Sequence, residues 1–295
     1  MAVKELGYRA TRVRAPRRVV TVNVVYYVLL SFAAVMFFFP FFWTLTTSLK
    51  RPSEVLLFPP RVFPSVVQWG NYPRVFEKVP FVRWTGNTLF VVTASTLGTL
   101  LTASLAAYAF ARFEFKIRDP LFVISLGTMM LPSQVTLIPQ FVLFHKLGWI
   151  DTFRPLWVPS WFGGGAFAIF LLRQFMMTLP RDLDEAAIID GASFVRVFWN
   201  ILVPLCKPVL ATLAVISIIG HWNDFMGPLI YIRTMEKFTL AVGLNYFRFN
   251  SESGGQPLQH LLMAASVMTT APLIVLFFAA QQYFVQGIAL TGIKG

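Results

Sequence analysis

Glu185-Ala186-Ala187-Ile188-Ile189-Asp190-Gly191-Ala192 lies between two hydrophobic stretches and reads as a short acidic helix that ends in a sharp turn. Ala186 and Ala187 keep the helix surface shallow, so that another protein can approach it closely. Gly191 permits the left-handed backbone that such a turn requires. Asp182, Asp184 and Glu185 follow Pro180 and crowd the positive end of the helix, with the proline read as its first-turn residue. The segment is a rigid knob on a loop spanning about 180–203.

The surroundings of this knob are those of a membrane protein. Hydrophobic residues make up 56% of the 295-residue chain and charged residues 13%, a balance that soluble domains of this size do not show. Uncharged stretches close to the roughly 20 residues needed to cross hydrocarbon recur along the chain. They place six spans at about 22–45, 87–110, 120–143, 156–176, 204–224 and 263–285. The expected fold is an all-α bundle over residues 21–295, preceded by a basic tail over 1–20.

That tail carries Lys4, Arg9, Arg12, Arg14, Arg17 and Arg18 directly before the first span. By the positive-inside rule it is cytoplasmic, and six spans return the carboxyl terminus to the same side. The knob then faces the cytoplasm, and the longer loops around 46–85 and 232–260 face outward. The net charge of +12 fits anionic lipid headgroups better than nucleic acid, since no basic, aromatic-interleaved soluble surface accompanies it. The first uncharged stretch exceeds the h-region of a cleaved signal peptide and reads as a retained anchor.

Motifs for chemistry are lacking. No phosphate loop of the form G-x-x-x-x-G-K-[ST] occurs, no serine sits in a G-x-S-x-G elbow, and His145, His221 and His260 are scattered without metal-ligand spacing. No catalytic residue, metal site or cofactor is expected in this chain. Cys206 is the only cysteine and forms no intrachain disulfide.

From Asn71 onward the chain resembles the permeases of ATP-binding-cassette (ABC) importers with an EAA loop, in the carbohydrate-uptake class that includes the maltose and glycerol-phosphate systems. The likeness rests on Glu185-Ala186-Ala187 through Asp190-Gly191-Ala192, with Phe198, Pro204 and Pro208. It extends to Asn87-Thr88-Leu89, Ala107-Tyr108-Ala109 with Ala111-Arg112, and Met129-Met130 before Pro132. Leu172-Arg173-Gln174-Phe175, Trp222-Asn223 with Pro228-Leu229-Ile230, and Gln281 with Tyr283-Phe284 and Gly287 complete the pattern. The stretch Phe113 to Arg118 departs from it by lacking a proline and a glycine, and the tail is slightly short.

The resemblance implies a type I importer transmembrane fold in the cytoplasmic membrane of a prokaryote. Its partners would be a second permease, two ATPase subunits that bind ATP and Mg, and an extracytoplasmic solute-binding protein. The implied cargo is a mono-, di- or oligosaccharide, with glycerol phosphate or another polyol as the alternative and a non-transporting scaffold as the rival of another class. It also makes Glu185 a polar contact to the ATPase, with Ala186, Ala187 and Gly191 packing closely. Asp190 is read as capping the helix that starts near Ala192. Without the resemblance, the same loop reads equally well as a helix-turn-helix whose acids are merely solvated.

For the cargo path the residues of interest are Trp222, Asn223 and Asp224, before the helix-ending Gly227-Pro228. A carboxylate at membrane depth is costly and faces a partner or a watery cavity. The other reading makes Trp222 an interfacial anchor and leaves Asp224 in outside water. Asn87, Gln134 and Gln140 are further candidates, although amides also join membrane helices to one another. Pro52, Pro59, Pro60, Pro64, Pro73 and Pro80 make the first outer loop a stiff irregular cap. Gly163-Gly164-Gly165 reads as a kink or a close helix contact.

Overall fold

A computed structural model describes residues 17–251 and 258–292. The first 16 residues of the basic tail lie outside this description. All regular elements among the described residues are helical. The long ones are α1 (Arg17–Ser48) and α2 (Phe81–Arg112), followed by the shorter α3 (Arg118–Thr128), α4 (Ser133–Lys146) and α5 (Ala166–Thr178). Next come α6 (Asp182–Ile189), α7 (Lys207–Trp222), α8 (Met226–Tyr231) and α9 (Gln259–Gly292), with short helical turns between them.

The centre of the bundle is α2, which packs against α5, α7 and the turn Val158–Trp161. Its buried face is built from small residues, Ser95, Gly98, Thr99, Ala103, Ala107 and Ala111 among them, and so admits neighbouring backbones closely. A β-carbon at Gly98 would collide with the indole of Trp161. One at Gly164 would lie 2.5 Å from the Thr99 carbonyl oxygen. The glycine triplet therefore serves close contact, and it also breaks the chain: all three glycines have positive φ, ending the turn at Trp161 before α5 begins. By contrast, α1 packs against α9 and leaves Tyr27, Phe32, Val35 and Phe37 exposed, a face suited to hydrocarbon.

Two spans differ from the sequence reading. The stretch 120–143 is two helices, α3 and α4, and neither is long enough to cross a membrane alone. Pro132 at the junction has no amide hydrogen and cannot continue the helix. The stretch 204–224 is α7 preceded by helical turns over Phe194–Leu205, bent from it by 76° at a break that falls on Cys206 and is followed by Pro208. Among the described residues, four helical stretches are long and apolar enough to cross, and this bent pair makes a fifth.

The first outer loop contains short helices, Pro52–Val55 and Asn71–Lys78, joined by irregular backbone. Lys50 is buried under it, with Nζ donating to the Arg61 carbonyl at 2.7 Å and lying 4.2 Å from the centre of the Trp43 ring. Burial pulls its ammonium below the usual lysine range. The Asn71 amide donates to the carbonyls of Ser48 and Lys50 and closes the loop onto α1.

Candidate functional site

Two features carry functional geometry, and the first is the α6 knob. Its carboxyl end is closed by Gly191, whose φ of 85° lets the Gly191 amide donate to Ile188 and the Ala192 amide donate to Ala187. These are the paired bonds of a Schellman ending. Asp190 is the last residue of this turn and does not cap the next helix; the Ser193 hydroxyl does that, accepting from the Arg196 amide. A hydroxyl one residue before the helix reaches the free amides with better geometry than a carboxylate locked into the preceding turn. Pro180 lies before the helix, whose first residue is Asp182.

The knob is anchored from beneath. Asp184 points inward, and its Oδ2 lies 2.6 Å from Nε of Arg112, the last residue of α2, with both side chains buried. Burial pushes the Asp184 carboxyl up from its ordinary value, against the pull of the Arg112 guanidinium. Arg112 also donates to the Leu179 carbonyl at 3.2 Å. The Tyr108 hydroxyl donates to the Phe194 carbonyl, and its ring packs on Phe113 and Phe198. Ala187 is half-buried against this cluster. Outward, Glu185, Ala186, Asp190 and Gly191 are exposed beside apolar groups, and Ile189 is 86% exposed. Isolated acids on a surface face do not require such an apolar companion; a docking surface does.

The second feature is a cavity of about 820 Å³ between α4, the turn after Arg154 and the start of α8. Gln134, Gln140, His221 and Asp224 give it polar groups, and Trp149 and the buried Tyr231 give its wall aromatic bulk. Thr136, Gln140 and Leu143 on α4, with Leu147 that caps it, recur at helical spacing along one face of this cavity. Asp224 Oδ1 accepts from the Gly227 amide at 3.1 Å, which fixes the carboxylate at the amino end of α8. The His221 Nδ1 donates to the Ser217 carbonyl at 2.8 Å.

The far wall is latched. Asp151, itself at a φ of 59°, accepts from the amides of Arg233 and Thr234, the Thr234 hydroxyl and Lys237 Nζ. Its own amide donates to Tyr231, so the latch joins the segments that carry Trp149 and Tyr231. Hydrogen bonds from Lys237 and then Thr234 hold the Asp151 carboxyl well below the usual carboxylate range. A depressed value contributes stability above the ordinary range that is lost only as pH falls through it, so the latch holds at neutral pH.

Of the residues singled out for the path, the structure gathers Gln134, Gln140 and Asp224 in this cavity. Trp222 lies elsewhere: it is 5% exposed and its indole donates to the Thr269 carbonyl on α9, a helix-to-helix pin. The Asn223 amide bonds back to Ile219. The Asn87 amide donates to Glu236 and Phe238 and ties α2 to the outer loop. The sequence reading places none of His221, Trp149 and Tyr231 on the path and takes His221 only as a scattered histidine, although it stands one helical turn before Asp224. Among the described residues, no group of His, Cys, Asp and Glu has metal-binding geometry.

An exposed, anchored knob and a polar cavity in one helical membrane bundle invite comparison with known transport proteins. The family model described as binding-protein-dependent transport system inner membrane component matches residues 98–290. The chain belongs to this family. The match takes in both the α6 knob and the cavity. This inner membrane component is 33% identical over 265 residues to the arabinooligosaccharides transport system permease protein AraQ of Bacillus subtilis, covering 89% of this chain and 92% of that one. It is also 33% identical over 265 residues to the trehalose/maltose transport system permease protein MalG of Thermococcus litoralis, covering 89% and 93%. Among solved structures, a chain of a bacterial ABC transporter involved in the import of the acidic polysaccharide alginate superimposes with a TM-score of 0.81 at 25% identity. That superposition covers 92% of this permease and 99% of the alginate chain.

Proposed function

We propose that this permease is one of two that together line the membrane path of an ATP-driven sugar importer. It lies in the cytoplasmic membrane of a prokaryote with both termini inside. Two ATPase subunits bind ATP and Mg in trans, and an extracytoplasmic solute-binding protein delivers the cargo. Glu185, Ala186, Ala187, Asp190 and Gly191 form the surface that docks in an ATPase cleft, and the exposed Ile189 extends it.

The observation that carries this reading is the two-sided knob: outward it offers an exposed apolar and acidic face, while inward Asp184 is ion-paired to the end of α2. A docked partner that moves α6 therefore pulls on the central helix, and the bend ahead of α7 passes the same displacement to a second span. A compliant knob would absorb the motion instead.

A sugar as cargo is supported by the names of the relatives, which transport arabinooligosaccharides, melibiose, raffinose and stachyose, or trehalose and maltose. The sn-glycerol-3-phosphate permease UgpE of Yersinia enterocolitica, 31% identical, keeps a phosphorylated polyol as the second reading. Reconstitution with the second permease, the ATPases and the binding protein tests the proposal. Labelled sugar is expected to accumulate in proteoliposomes only with ATP and every subunit present. Accumulation by this chain alone, without nucleotide, would replace the proposal with a self-sufficient transporter.

A further inference from the structure

The chemistry of the cavity wall separates the two cargo classes left open above. We propose that the cavity between α4 and α8 takes a neutral, hydroxyl-rich cargo of about two or three sugar rings and rejects anionic ones, with Asp224 as the discriminating residue. The inference rests on the sugar-importer reading and narrows it.

Its basis is the sign and fixation of one charge. The Asp224 carboxylate is held in the wall by the Gly227 amide and stands beside Leu156 and Tyr231. Among the described residues that line the cavity, none is Lys or Arg. Lys237, on the outer wall, is engaged by Asp151 through both its carboxylate and its carbonyl. A phosphate or a uronic acid entering here meets a fixed like charge, which repels it.

A neutral sugar meets matching groups instead. Gln140 carries amide donors and an acceptor in the wall, and the Asp224 carboxylate accepts from hydroxyls. Half-buried Trp149 adds apolar aromatic surface for one side of a ring, while Tyr231 is buried against Phe141 and Phe144 and stiffens the wall. The volume of about 820 Å³ lies within the range of roughly 300–1,000 Å³ that encloses ligands of drug size, which suits a di- or trisaccharide. Glycerol phosphate would be both too small to fill it and of the wrong charge.

The test uses the complete importer in proteoliposomes, with Cys206→Ala and Leu143→Cys placing one thiol in the cavity wall. Modification of that thiol is followed with raffinose, a neutral trisaccharide, or with trigalacturonate, an anionic one. Raffinose is expected to slow modification about tenfold more than trigalacturonate at equal concentration, and Asp224→Asn to remove most of that difference. Equal protection by both sugars, stronger protection by the anion, or a preference unchanged in Asp224→Asn overturns the inference, while import of a sugar stands. Protection by neither, in a complex that takes up carbohydrate, removes the cavity from the path. If the complex takes up no carbohydrate, the sugar-importer reading itself falls.

Discussion

Gly191→Asp abolishes ATP-driven uptake while the subunit still reaches the membrane in normal amount. At a φ of 85°, Gly191 occupies backbone space that costs an ordinary side chain about 1–2 kcal/mol, or roughly five- to thirtyfold in the population of the native turn. Space is not the obstacle, because a β-carbon there would meet nothing within 4 Å. The loss comes from the turn, which holds the Ala192 and Gly191 amides on the end of α6, and from a new charge on the face that docks. Gly191→Ala suffers the first effect alone, so its uptake falls by the same five- to thirtyfold at most and is not lost. Glu185→Lys leaves the turn intact, reverses the charge on the docking face and also abolishes uptake. Initial uptake rates set against the amount of subunit in the membrane check all three. Normal rates in both Gly191→Asp and Glu185→Lys would end the docking assignment.

Arg112→Met and Asp184→Leu are each expected to destabilise the assembled permease strongly and to uncouple ATP hydrolysis from uptake. Each leaves one buried charge without its partner, which costs about 3–5 kcal/mol. The double variant removes both charges and regains much of the lost stability, since an apolar pair of similar volume often matches a buried ion pair. Coupling is a separate matter: the double variant keeps the contact between α6 and α2 but makes it less directional, so its uptake returns only in part. Thermal unfolding of the purified complex and uptake per ATP hydrolysed separate the two effects. Additive losses in the double variant would show that Arg112 and Asp184 do not act as a pair.

The membrane class and the knob were legible in the sequence because they are local. Hydropathy adds up along the chain, and the turn after α6 needs a glycine where one stands at 191. The α2 small-residue face was open to the same kind of reading at helical spacing. What escaped was non-local. Arg112 and Asp184 are far apart in sequence, as are Asp151 and Lys237, and a charge in a string carries no mark of its partner. Trp222 shows a different limit, since an aromatic residue near the end of a span serves an interface or a core equally well. Its bond to Thr269 decides for the core. The break at Pro132 was visible as a proline, but hydropathy alone ran a single span across it.

The central claim is that the α6 knob rides in an ATPase and carries its motion to the spans. Ile189→Cys in the otherwise cysteine-free complete importer, with a short thiol crosslinker added during turnover, tests this most directly. The account predicts a permease-to-ATPase crosslink whose yield changes with nucleotide and whose formation stops uptake. Uptake at full rate with no crosslink to the ATPase in any nucleotide state would contradict it.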